Sequence, residues 1–167
     1  TKKYYGGQTE KAIRNFPFDF RKTYKEFIYT IAEIKKAAAR AHAAAGELDR
    51  KQAGAIVRAC DEILKGKHDE QFVLPSFQGG MGTSNHMNVN EVIANRTTEF
   101  LKGKTIIHPN DHVNMSHSTN DVMPSALKIT ALRLVDKLDD SLKVLIAAFE
   151  KKAKQIAKIS QLGRTHL

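Results

Sequence analysis

Residues 107–121, IHPNDHVNMSHSTND, gather three His, three Asn, two Asp, two Ser and one Thr around one proline. These short side chains are hydrogen-bond donors and acceptors with little apolar area to bury. Such a density fits a small polar ligand. The end of the run, Ser118-Thr119-Asn120-Asp121, stands just before the longest helical pattern in the chain. A first helical turn carries free N–H groups and the positive end of the dipole. Hydroxyls and an amide placed there can hold a carboxylate with uncharged donors. An N-cap alone needs one such residue, so capping and anion binding both remain open.

A second polar loop, Gln78-Gly79-Gly80-Met81-Gly82-Thr83-Ser84, has three glycines in four positions. Glycine lets a backbone approach a ligand closely and expose its N–H groups. No Gly-Lys-Ser/Thr ending makes it a Walker loop. An ordinary glycine turn and an anion site are both open. His108 and His112 have the spacing of a helical metal pair, but Pro109 biases His108 away from helix. No further acidic or Cys residue completes a ligand set, so neither a metal nor a cofactor is expected. His86 and His117 read as isolated surface or packing histidines. His166, in the terminal GRTHL beside Thr165, could donate to a carboxylate or move a proton.

The elements that must position these groups read as helices. Residues 1–20 fit no long period and read as an irregular arm. A helix is expected from Lys22 to Ala45, stopped by Gly46. Asp49 can cap a second helix carrying Ala53, Ile56, Val57, Cys60, Ile63 and Leu64 inward, which makes Cys60 a core residue. Residues 67–87 read as loop, Asn88–Leu101 as a third helix and 104–121 as loop again. Then Ala131, Val135, Leu138, Leu142, Leu145, Phe149, Ala153 and Ile156 step by three and four. A helix from Met123 to Ile159 would run about 55 Å, with Asn120 or Asp121 as its cap and Pro124 in its first turn. Such a helix needs neighbours to cover its stripe, as in a bundle. No strand pattern is convincing, FVLPSF being short and broken by Pro75.

Composition narrows the function. The 167 residues are 41% hydrophobic, as in an ordinary globular domain, or one domain and a piece of another. No run is long and apolar enough to span a membrane. A single cysteine cannot form an internal disulfide, and a cytoplasmic location is the simplest expectation. The formal charge is +9, but the basic residues are scattered along helical faces without interleaved aromatics, so no nucleic-acid partner is expected. The chain opens on Thr1 and reads as a fragment of a longer protein.

Taken together, QGGMGTSNHMNVNEVIANR, HPNDHVNMSHSTND and GRTHL resemble, in order, three motifs of the aspartase and class II fumarase branch of the fumarase/aspartase superfamily. YYGGQT also resembles that family's N-terminal arm. The resemblance implies a mainly α fold: an N-terminal lyase domain over 1–119, then over 120–167 the first long helix of a central bundle, truncated. It implies a small dicarboxylate substrate (aspartate, fumarate or malate) and a homotetramer at full length. By position, Thr83, Ser118, Thr119, Asn120, Thr165 and His166 match substrate-binding residues, and His166 matches part of the acid/base machinery. His108, Asn110 and Asp111 match a second, outer dicarboxylate site. His117 stands where the family usually has Gln.

GGMGT and the Ser-Thr-Asn triplet lean toward aspartate ammonia-lyase, with fumarate hydratase as the alternative. The family's serine-bearing loop, held to supply the general base, does not occur in the chain. Proton transfer by such a base is worth about 100- to 10,000-fold, so the chain alone is expected to be nearly inactive. A regulatory helical protein that kept the binding loops without the chemistry is the rival from another class.

Overall fold

A computed structural model describes residues 2–17, 21–78, 80–160 and 162–163. The chain falls into two compact units, Thr1–Thr130 and Ala131–Leu167. Among the described residues the only extended pairing is an isolated antiparallel bridge between Lys22 and Pro75. The fold is mainly α, as the periodicities indicate. No described helix is long and apolar enough to cross a membrane.

The first unit is built on α1 (Gly7–Asn15), α2 (Lys25–Ala45), α3 (Arg50–Leu64), α4 (Thr83–Phe100) and the first turns of α5 (Thr119–Ile156). Helix α2 ends where Gly46 takes φ +79°, and the Asp49 carboxylate caps α3 by accepting from the N–H groups of Lys51 and Gln52. Ile28, Ile31, Ile56, Ile63, Val89, Val92, Ile93 and Val122 form the core. Cys60 is wholly buried among them, and burial pushes its thiol up to about 12, so it is inert packing.

Five expectations need correction. The arm over 1–20 contains α1, because a carboxylate from elsewhere caps it. Glu91 of α4 accepts from the N–H groups of Gly6 (2.8 Å), Gln8 (2.8 Å) and Thr9 (3.1 Å), and from Thr9 Oγ1 (2.6 Å). Negative charge at the positive end of a helix dipole supports a helix too short to form on local propensity. Helix α2 starts at Lys25, three residues late, because Thr23 N–H donates to the Leu74 carbonyl and holds 22–23 extended.

Helix α4 starts at Thr83 instead of Asn88. Its first turns carry buried polar residues that show no apolar period but tie remote segments together. Asn85 donates to the Pro75 carbonyl and lies 3.1 Å from Thr23 Oγ1. Asn88 donates to the Gln71 carbonyl. Finally, α5 spans Thr119–Ile156 instead of Met123–Ile159, and its cap is Ser118 rather than Asn120 or Asp121. The Ser118 carbonyl accepts from Asp121 and Val122, and its Oγ accepts from the Asn120 N–H at 3.1 Å. The stretch before it is not all loop, since Pro109–Val113 makes one π-helical turn packed on α4.

In the second unit the apolar stripe of α5 is exposed, with Leu138 55% and Leu145 50% accessible.

Candidate active site

The two polar loops that bracket α4 and α5 converge. Gly82 precedes α4 with φ +76°, a left-handed conformation that suits glycine. A Cβ at Gly82 would lie 2.6 Å from Met123 Cε in the first turns of α5. One turn into α4, His86 Nδ1 is 3.0 Å from Thr119 Oγ1. The starts of α4 and α5 therefore lie side by side, each presenting the positive end of its helix dipole.

At this junction Thr83, Ser118 and Asn120 are exposed and Thr119 is half-buried against His86. The structure brings Thr119 to α4 and sets Ser118 and Asn120 on the same first turn. Ser118 Oγ is engaged as a cap acceptor yet retains its own O–H to donate. Uncharged donors ranged over two helix starts can hold a carboxylate.

Behind the junction lies a buried basic group absent from the sequence-level candidates. Lys35 of α2 is 0% exposed. Its Nζ donates to Asn114 Oδ1 at 2.6 Å and lies 3.1 Å from His117 Nδ1. Burial pulls the Lys35 ammonium down to about 7, opposed by Cys60 and Asp121. Burial and then Lys35 hold His117 down to about 4, and burial with Lys35 and His117 holds His86 down to about 3. Both histidines are neutral at physiological pH. His86 and His117 are thus not isolated, since they flank Ser118–Asn120 on two sides. A signal for Lys35 was present: Ile28, Ile31, Lys35, Ala39 and His42 step by three and four, placing the lysine on the inner face of α2.

The residues matched to the outer site lie on the π-helical turn and its cap. His108, Asn110 and Asp111 are all exposed. His108 Nδ1 accepts from the Asp111 N–H at 3.3 Å and is 3.1 Å from Asp111 Oδ2. His112 Nδ1 accepts from the His108 N–H, so the two rings face backbone and each other's turn rather than a shared ion. Among the described residues no three of His, Cys, Asp or Glu gather as a metal ligand set. Thr165 and His166 lie outside the described residues.

The sequence model of the family described as Lyase matches residues 1–167. The chain is 48% identical to a class II fumarate hydratase of Campylobacter jejuni, over 99% of this chain and 37% of that protein. It is 47% identical to an aspartate ammonia-lyase of Helicobacter pylori, over 98% of this chain and 36% of that protein. The chain thus spans little more than a third of the length of these curated relatives. Among solved structures it is similar to a fumarate lyase:delta crystallin from Brucella melitensis, with a TM-score of 0.86 and 44% identity, covering 98% of this chain and 40% of that one. A class II fumarase from Schistosoma mansoni gives a TM-score of 0.86 at 36% identity, covering 99% of this chain and 36% of that one. The match along the whole chain, with the paired starts of α4 and α5, establishes that the chain belongs to the fumarase/aspartase superfamily of lyases.

Proposed function

We infer that the complete gene product eliminates ammonia reversibly from L-aspartate to give fumarate. A base takes a proton from C3, next to the distal carboxylate. The electron pair moves into that carboxylate, giving an aci-carboxylate, and its return expels ammonia from C2. Charge grows on one carboxylate during the first step, so donors fixed in place beforehand lower the barrier. The observation that carries this reading is the side-by-side placement of the α4 and α5 starts, joined by His86 and Thr119.

In this reading Thr83, Ser118, Thr119, Asn120, Thr165 and His166 bind substrate. His166 takes part in proton transfer, a role that rests on its sequence motif. His108, Asn110 and Asp111 form an outer dicarboxylate site. The active assembly is a homotetramer whose α5 stripes are covered by other helices of the bundle. Fumarate hydratase is the second reading, supported by relatives bearing that name at similar identity. GGMGT and Ser118-Thr119-Asn120 favour the ammonia-lyase.

The test is product identity. The gene product is mixed with fumarate, with and without ammonium, and followed by proton NMR. Aspartate formed with ammonium, and no malate in either tube, is the expected result. Malate in both tubes would replace the ammonia-lyase with the hydratase.

A further inference from the structure

A buried ammonium usually faces a carboxylate, because an unpaired buried charge is costly. The hydrogen bonds of Lys35 go instead to two neutral acceptors, Asn114 Oδ1 and His117 Nδ1. These residues bound the turn that leads into α5. Within it, His117 N–H donates to the Asn114 carbonyl at 3.1 Å, and Asn114 Nδ2 donates to the His117 carbonyl at 3.2 Å. Ser116 sits at φ +58°, a left-handed conformation that a non-glycine residue keeps only when its surroundings impose it. Two turns along the same face of α2, His42 Nε2 lies 3.0 Å from the Met115 carbonyl. Helix α2 therefore grips Asn114, Met115 and His117, and the next residue is the Ser118 cap.

We propose that Lys35 is a positioning residue for the dicarboxylate site: it anchors Asn114 and His117, and the strained turn between them aims Ser118, Thr119 and Asn120 at the substrate carboxylate. This rests on the reading of those three residues as substrate-binding. A packing lysine would have needed no such partners, since any buried acceptor would satisfy it. Lys35 bonds to both ends of the one turn that launches the triplet. His117 accepts at Nδ1 whenever Lys35 is protonated, so its ring proton is then on Nε2.

The test compares the complete gene product with its Lys35→Met and Lys35→Gln variants, by steady-state kinetics on fumarate plus ammonium and by hydrogen exchange. Met keeps the volume and removes the donors. Gln keeps N–H donors on a side chain one atom shorter. The expected result for Lys35→Met is a KM for fumarate raised about tenfold or more, with a smaller change in kcat. Amides 117–122 should exchange faster while those of Ile28–Ile31 and Ile56–Ile63 keep their protection. Lys35→Gln should recover part of the KM loss. Wild-type KM and wild-type exchange at 117–122 in Lys35→Met would overturn the proposal. So would faster exchange spread evenly over α2, α3 and α4, which marks a general packing role. If the unsubstituted protein turns over no fumarate at all, the functional reading fails instead. Exchange at 117–122 then still decides whether Lys35 holds the turn.

Discussion

At the scale of single residues, the proposed chemistry depends on neutral polar groups fixed by buried partners. Thr119 illustrates this, since its hydroxyl lies 3.0 Å from Nδ1 of the buried His86. Thr119→Val removes one hydroxyl without changing shape. A hydrogen bond to a charged ligand contributes roughly 1.5–3 kcal/mol, so kcat/KM should fall about ten- to hundredfold, measured by initial rates on fumarate. Lys35 makes a prediction about stability. Its folded-state proton affinity lies below that of the unfolded chain, about 7 against 10.5. Between those values the unfolded chain binds more protons, so stability rises with pH. The penalty is fully present below about pH 7 and gone above 10.5. The groups facing Lys35 are His117, Cys60 and Asp121, with His42 and His86 beyond. Relative to Lys35→Met, the natural protein should therefore gain thermal stability as pH rises from about 7 to 10.5, measured by melting temperature. The polar triplet was legible in the sequence because three small donors before a helix exceed capping needs. The partners His86 and His117 were not, because their burial comes from packing 33 and 82 residues away in sequence.

At the scale of elements, α4 is the member that gathers the others. Its Glu91 holds the start of α1, its His86 the start of α5, and its Arg96 the end of α3. The α1 contact is a charge-assisted cap with four donors, so Glu91→Ala should destabilise the first unit by about 3 kcal/mol in urea unfolding. Such a variant should also lose helicity at 7–15. Arg96 bonds Glu62 through Nε at 2.7 Å and Nη2 at 3.1 Å. Arg96 first, and then His68, hold the Glu62 carboxyl down to about 2 against the opposing effect of burial. That stability is present above about pH 4.5 and lost as pH falls toward 2. Glu62→Gln should accordingly flatten acid unfolding between those values, followed by circular dichroism. Helices α2 and α3 could be read directly, from apolar periods and from Gly46 and Asp49. The early start of α4 escaped because the residues it buries, Asn85 and His86, are polar and periodicity reports apolar faces, while α1 buries only Thr9 and Ala12. Glu91 caps a helix 82 residues before it in the chain, which no local window contains.

At the scale of the whole molecule, Val135, Leu138, Leu142, Leu145 and Phe149 form an exposed stripe spaced for helix-on-helix packing. The proposed tetramer covers it. Replacing Leu138 and Leu145 by Lys in the complete gene product should lower the assembly size in sedimentation velocity. Unchanged size would remove these residues from the interface. The long helix and its need for neighbours were visible as an unbroken stripe, whereas the convergence of two loops 35 residues apart in sequence required the folded first unit. That convergence is tested most directly by a crystal structure of the gene product with succinate, a dicarboxylate with no double bond to react. A succinate carboxylate should lie within hydrogen-bond distance of Thr83 Oγ1 and of donors from Ser118, Thr119 or Asn120. Succinate seated away from the paired starts of α4 and α5 would contradict the assignment of the site.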